Sequence, residues 1–235
     1  SRLVPTAMTD RLNAFLERAE RLLDRLEHVL PSSPTPTDWH AHAFRWRRGS
    51  RGGWLEAIAH PHQIALSDLG GIDRQKETLV RNTAQFIAAL PANNALLWGS
   101  RGTGKSSLIK GLLNRFAEEG LRLIEVEKQE LIDLPEIVSN LRTRPERFIL
   151  FCDDLSFDAN EPGYKALKVV LDGSLSAPPE NVLIYATSNR RHLLPEYQGE
   201  NRDAQIIEGE LHPGEAVEEK IALSDRFGLW LSFYP

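Results

Sequence analysis

One short segment limits the possible folds of this chain more than any other. Residues 99–106 read GSRGTGKS and match the pattern G-x-x-x-x-G-K-[ST] in full. An apolar run from Ala95 to Trp98 precedes the segment, and a helical pattern follows it. A strand, a glycine-rich loop and a helix in this order form a phosphate site, because the loop N–H groups and the positive end of the helix point to the same place.

The residue types in this segment predict what the site holds. Lys105 is expected to reach the β- and γ-phosphates of a nucleotide, and Ser106 is expected to bind Mg²⁺. The predicted cofactors are therefore ATP and Mg²⁺. The predicted nucleotide contacts come from Gly99, Ser100, Arg101, Gly102, Thr103, Gly104, Lys105, Ser106 and Ser107.

Short apolar runs alternate with helical patterns from Ser67 onwards. Strands are predicted over 95–98, 121–126, 148–152, 182–186 and 229–233, and helices over 73–90, 106–117, 135–142 and 164–171. Such alternation favours an α/β fold with helices on both faces of a parallel sheet. We expect five strands in that sheet.

Polar residues follow two of the predicted strands and precede another. Asp153 and Asp154 end an apolar run, and Asn189 follows the next strand. Ligands of open α/β sheets lie at the carboxyl ends of the strands, so Asp153 is expected to hold Mg²⁺, and Asp154 and Asn189 to act on the attacking water or the γ-phosphate. Arg226 precedes the last strand and is a candidate arginine finger. The alternatives are a turn acid, a turn asparagine and a surface ion pair.

The N-terminal part of the chain does not follow this alternation of strand and helix patterns. Residues 9–30 predict an amphipathic helix, which either packs on its own core or docks a partner, with Thr9 as a possible cap. Residues 31–38 form a Pro/Ser/Thr linker. Residues 44–51 interleave arginine with aromatic residues, as in a nucleic-acid surface or in a solvated loop anchored by buried tryptophans. We expect an N-terminal segment over 1–66 and a core over 67–235.

Composition excludes several classes of protein. The chain has 235 residues, a formal net charge of −5 and one cysteine, Cys152, so neither a disulfide framework nor polyanion binding by the whole chain is expected. We interpret Cys152 as a buried packing residue. No apolar stretch approaches the ~20 residues of a membrane span, and no signal peptide is visible. A cytoplasmic protein without membrane partners is expected.

The motifs together resemble the AAA+ ATPases. The resemblance rests on residues 99–106, Asp153, Asp154, Asn189 and Arg226 in this order, with residues 67–72 similar to the AAA+ segment that approaches adenine. Within AAA+, the sequence is most similar to a prokaryotic family of unknown cellular role. The runs that carry this likeness are 102–107, 121–126, 151–157, 186–192 and 223–229.

The resemblance implies roles and an assembly. Lys105 and Ser106 would be Walker A residues, Asp153 and Asp154 Walker B residues, and Asn189 sensor 1. Arg226 would act on the nucleotide of a neighbouring subunit, in a homo-oligomeric ring or spiral such as a hexamer. Asp154 stands where most AAA+ proteins have Glu, which predicts slow hydrolysis. The family's helical lid would follow residues 233–235, where this sequence ends. Residues 67–235 are therefore expected to form a core without a lid, and the lid is either beyond this sequence or missing from the protein.

Three functions are compatible with these features. The first is an ATPase whose nucleotide-driven assembly remodels or loads a protein partner. The second is an ATPase linked to nucleic acid, similar to helicase loaders, that uses residues 44–51. The third is a nucleotide switch with slow or no hydrolysis. Residues 127–133 lack the aromatic and glycine of an AAA+ pore loop, which disfavours threading of polypeptide. Residues 196–220 are interpreted as an exposed insertion.

Overall fold

The structure is a computed structural model, and it describes residues 15–16, 18–21, 36–49, 52–157, 161–172, 179–191, 193, 205–207, 210–212 and 226–234. The chain divides into two compact units, Ser1–Pro36 with Ser50–Gly52 and Thr37–Gly49 with Gly53–Pro235. In the first unit residues 15–16 and 18–21 are helical, inside the helix predicted over 9–30. Thr9, residues 31–35 of the linker, Ser50 and Arg51 lie outside the described residues.

The described elements follow the predicted alternation. The strands are β1 (Ala43–Gly49), β2 (Gly52–Ala57), β3 (Ala95–Gly99), β4 (Leu121–Glu125), β5 (Arg147–Cys152), β6 (Val182–Ser188), β7 (Gln205–Ile207), β8 (Glu210–His212) and β9 (Leu229–Phe233). The α-helices are α1 (Asp73–Ile87), α2 (Lys105–Phe116), α3 (Leu134–Leu141) and α4 (Pro162–Asp172). None of the described helices is long and apolar enough to cross a membrane.

The main sheet has seven strands in the order β2-β1-β4-β5-β6-β3-β9, so the prediction of five was wrong. The five predicted strands lie side by side and are parallel, and β1 adds to them by pairing parallel with β4. Both additional strands precede residue 67, where we expected the core to begin. The strands β7 and β8 pair antiparallel within the predicted insertion over 196–220.

Side chains of the parallel strands alternate between two cores, one on each face of the sheet. Leu96, Ile124 and Leu150 pack with α3 and α4 on one face. Leu97 and Ile149, one residue along their strands, pack with α1 and α2 on the other. Successive side chains of a strand point to opposite faces, so each central strand contributes to both cores. The predicted α/β fold, in which helices cover both faces of a sheet of parallel strands, is confirmed.

The aromatic side chains of residues 44–49 are part of this core. Phe44 and Trp46 are 0% and 1% exposed, and the Trp46 Nε1–H donates to Asp133 Oδ2 at 3.1 Å. Neither ring is available to stack on a base. The interpretation of this segment as a loop was wrong, because its alternating aromatic residues form the inner face of β1.

The arginines of β1 are engaged with carboxylates of neighbouring segments. Arg45 pairs with Glu125 of β4 at 2.6 Å. The other ion pairs of this face join Arg47 to Glu56 and Glu127, and Arg48 to Asp133. These ion pairs balance the charge of the three arginines locally. Arg51, the fourth arginine of the predicted segment 44–51, lies outside the described residues.

The buried position of Trp46 predicts the stability of a variant. Trp46→Ala should lower the free energy of unfolding by about 3–5 kcal/mol, since a large cavity forms between β1 and the 3₁₀ turn at Lys128–Asp133. Trp46→Phe keeps most of the packing and should cost about 1–3 kcal/mol through the lost hydrogen bond. Urea titration of the full chain measures both, with Leu90→Ala, at an exposed side chain, as the control. An unchanged midpoint for Trp46→Ala would show that β1 is not part of the folded core.

Candidate nucleotide-binding site

The loop between β3 and α2 requires glycine at several positions. Gly99, Gly102 and Gly104 have φ of +136°, +77° and +89°, a region that residues with a Cβ rarely adopt. At Gly99 a Cβ would also collide with the backbone of Phe233 in β9. The loop can therefore leave the sheet sharply, and its N–H groups lie beside the amino end of α2, where an anion is favoured.

The Lys105 ammonium lies at the base of this loop. The side chain is 7% exposed, and Nζ donates to the backbone oxygens of Gly99 at 2.7 Å and Ser100 at 2.6 Å, with Asn189 Oδ1 at 3.4 Å. Burial lowers the pKa of Lys105, while the nearby carboxylates of Asp153 and Asp154 oppose this shift. An anionic ligand in the loop would compensate the buried charge, which a phosphate can do.

Ser106 and Asp153 meet across the cleft. The Ser106 hydroxyl donates to Asp153 Oδ1 at 2.6 Å. A hydroxyl and a carboxylate are oxygen ligands of the kind that Mg²⁺ prefers, and Mg²⁺ is commonly bound by one or two carboxylates together with substrate phosphates. The described residues contain no group of three or more His, Cys, Asp or Glu that could hold a metal alone. The pair of Ser106 and Asp153 fits a cation that is shared with the phosphates of a nucleotide.

Asp154 is held by two donors in an unusual backbone conformation. Its φ is +51°, which is uncommon for a residue other than glycine. Asn189 Nδ2 donates to Asp154 Oδ1 at 2.5 Å, and an Arg101 guanidinium nitrogen lies 3.4 Å from Oδ2. Two of the predicted site residues, Asp154 and Asn189, therefore contact each other directly.

The cleft around these residues has a volume of about 800 Å³, within the range of small-molecule sites. One wall is formed by residues 68–72, which belong to the segment 67–72 that resembles the adenine-approaching segment of AAA+ proteins. Lys76 holds this wall by donating from Nζ to the Leu69 oxygen at 2.8 Å. The opposite walls are formed by residues 101–107, the acidic pair, Thr187, Asn189 and Tyr234.

Two lining residues were missed by the sequence analysis. Thr187 is the last residue but one of β6, and its hydroxyl contacts the Asp153 carboxylate and the Asp154 backbone N–H. Tyr234 follows β9 and packs edge-on against Trp98, with the ring centroids 5.5 Å apart. Both occupy the carboxyl end of a parallel strand, as Asn189 does. A polar or aromatic residue at the carboxyl end of a predicted parallel strand is the sequence feature that could have identified them.

Arg226 is not brought to this cleft. It comes just before β9, and Leu229 of β9 pairs with Ala95 at the start of β3, whereas the loop begins at the other end of β3. The Arg226 guanidinium forms an ion pair with Asp172 at the end of α4. The predicted surface ion pair is thus present, and this chain's own cleft lies at the opposite edge of the sheet.

Cys152, directly before the two acids, gives a prediction about reactivity. Complete burial raises the pKa of its thiol to about 12, so at pH 8 roughly one thiol in 10⁴ is ionised. Because the thiolate is the reactive form and the native thiol is buried and neutral, a thiol reagent should label the native chain only through transient opening. The labelling rate should rise with pH and level off near the ordinary pKa of an exposed thiol, about 8.5. In urea the labelling should be fast. Stoichiometric labelling of the folded chain within the mixing time would contradict this placement.

Comparison with solved structures gives similarities of low sequence identity. The Thermotoga maritima RuvB Holliday junction branch migration motor is 17% identical, with 73% of this chain and 48% of that chain covered and a TM-score of 0.41. A structure of DnaI is 16% identical (74% and 89% covered, TM-score 0.47). The Aeropyrum pernix ORC1 protein in complex with DNA is also 16% identical (70% and 45% covered, TM-score 0.47). The chain spans about half the length of the RuvB and ORC1 chains.

A comparison with curated proteins found no match. A family described as "Protein of unknown function (DUF815)" matches residues 39–235. The matched region begins before β1 and contains the complete main sheet together with every residue of the cleft. The chain therefore belongs to the DUF815 family.

Proposed function

We propose that this chain binds Mg-ATP in the cleft and hydrolyses it slowly. One observation carries the proposal: Lys105, Ser106, Asp153 and Asn189 come from three separate segments and converge on one cleft. The segments are the glycine-rich loop with the start of α2, the end of β5 and the end of β6. The first segment supplies a lysine and a hydroxyl, the second a carboxylate and the third an amide, which are side chains that phosphoryl transfer uses.

The residues have separable roles in this proposal. The loop N–H groups and Lys105 bind the phosphates, and Ser106 with Asp153 holds the cation. When bound, Mg²⁺ would neutralise charge on the phosphate oxygens. Asn189 donates from its amide to the γ-phosphate or to the water. Residues 68–72 form the wall on the side of the base, as the resemblance to AAA+ proteins implies.

Asp154 supports the expectation of slow turnover. Its carboxylate is shorter than the glutamate of most AAA+ proteins, and Asn189 and Arg101 already occupy its two oxygens. These contacts set the orientation of the carboxylate, so a water must take the direction of a remaining lone pair. Displacement of about 1 Å can cost on the order of 10²-fold in rate. A nucleotide switch, in which binding rather than turnover sets the state, is therefore our second candidate.

Arg226 can serve only a neighbouring subunit in this proposal, because its own cleft lies at the other edge of the sheet. The ion pair with Asp172 would open when Arg226 meets the neighbour's phosphates. We propose a ring or spiral of identical subunits whose ATP-dependent assembly remodels or loads a protein partner. A helicase-loader-like role would need a nucleic-acid surface other than β1, whose rings are buried and whose arginines are paired.

Nucleotide binding predicts a change in stability. At a free Mg-ATP concentration of 100 times Kd, the folded chain should gain about 2.7 kcal/mol, measured as a rise in Tm. Lys105→Met should abolish the rise, since the phosphate-binding ammonium is lost. Lys165→Met, at an exposed position on α4, is the matched control and should keep the full rise. An equal rise in Tm for Lys105→Met would place the nucleotide elsewhere.

Shared active sites predict that turnover per subunit rises with protein concentration. Arg226→Ala should bring turnover to background, because an arginine finger contributes about 10³- to 10⁵-fold. The matched control is Arg115→Ala, which breaks a surface ion pair with Glu119 and should leave turnover unchanged. Turnover per subunit that is independent of concentration and of Arg226 would refute the role in trans. Binding without any turnover would favour the switch.

A further inference from the structure

We infer that Thr187 is a positioning residue that holds both acids of the cleft for the Mg-nucleotide. The Thr187 hydroxyl donates to Asp153 Oδ1 at 2.5 Å and accepts the Asp154 backbone N–H at 2.8 Å. The side chain is 2% exposed, so water cannot readily replace either contact. This inference rests on the proposed function and goes beyond it by giving a role to a residue to which the motifs assign none.

The direction of these hydrogen bonds is fixed by chemistry. A hydroxyl has a single proton to donate, and a backbone N–H can only donate, so the Thr187 proton must point to Asp153. Asp153 Oδ1 accepts a second hydroxyl proton, from Ser106 at 2.6 Å. Asp153 Oδ1 is therefore held as an acceptor between two hydroxyls, which fixes the orientation of an oxygen that can bind a cation.

Thr187 also fixes the backbone that presents Asp154. Its carbonyl oxygen accepts the Leu155 N–H at 2.7 Å, while its hydroxyl accepts the N–H of Asp154. Two successive N–H groups after β5 are thus bound to one residue of β6. Between them, Asp154 adopts its positive φ of +51°. An unfavourable backbone conformation persists where several surrounding contacts hold it. The two hydrogen bonds to Thr187 are contacts of this kind.

The neighbouring residue provides a control for a purely structural role. Ser188 is fully buried, and its hydroxyl donates to the Leu155 oxygen at 2.8 Å. It therefore anchors the same loop with a hydrogen bond of similar length. Unlike Thr187, Ser188 lies on the opposite face of β6. Loss of Ser188 should weaken the loop without changing how Asp153 is held.

The test measures binding of a fluorescent ADP to the full chain with and without MgCl₂. Thr187→Val keeps the branched shape and removes the hydroxyl. It should reduce the Mg²⁺-dependent gain in affinity by about 10- to 100-fold, as loss of residues that orient metal ligands commonly does. Its affinity without Mg²⁺ should stay within about twofold of the wild type. Thr187→Ser, which retains the hydroxyl, should restore the gain.

The outcomes separate this inference from the proposed function. A wild-type gain from Mg²⁺ that persists in Thr187→Val would overturn the inference and leave the proposed function standing. The inference would also be overturned if Ser188→Ala lost the gain as fully as Thr187→Val, because the effect would then belong to the loop. A wild-type chain that binds no nucleotide would overturn both. Tm values for each variant establish that the compared proteins are folded.

Discussion

The parallel pairing of β3, β5 and β6 is the constraint on which the candidate site depends. Cys152 pairs with Ala186, and Trp98 pairs with Ser188, so the three strands end at the same edge of the sheet. The residues that follow these strand ends therefore line one cleft: the glycine-rich loop, the two acids and the Asn189 amide. A different register would move a carboxylate by a strand residue, about 3.3 Å, and turn it to the other face.

The charged side chains of this cleft are hydrogen-bonded to other groups of the chain. The buried Lys105 ammonium is bound by two carbonyl oxygens, and the two carboxylates are bound by hydroxyl, amide and guanidinium donors. Each of these donors is also one that a Mg-nucleotide would recruit. Nucleotide binding would therefore exchange internal hydrogen bonds for bonds to phosphate and cation. In the proposed function that exchange would couple the nucleotide to the loop after β5, where Asp154 has a positive φ.

Local patterns were enough to predict the central part of this fold. The apolar runs placed the five parallel strands, and the spacing of glycine and lysine placed the loop at the end of β3. β1 was missed because its arginines suggested a basic surface. The alternation of Phe44 and Trp46 with Arg45 and Arg47 was the better signal, since it has the period of a strand.

Contacts between distant residues could not be predicted in the same way. Arg45 is paired with Glu125 and Arg226 with Asp172, and no local pattern indicates either partner. The role of Thr187 was hidden for a similar reason. Its importance comes from two acids on the adjacent strand, and from sequence alone it is one of several polar residues after an apolar run.

The most direct test of the central claim is a crystal structure of the chain with Mg²⁺ and a non-hydrolysable ATP analogue. We expect the phosphates to lie against the N–H groups of residues 102–106. We also expect Lys105 Nζ to leave the oxygens of Gly99 and Ser100 for phosphate, and the cation to lie between Ser106 and Asp153. An analogue bound elsewhere, with Lys105 still on those carbonyl oxygens, would rule out this site.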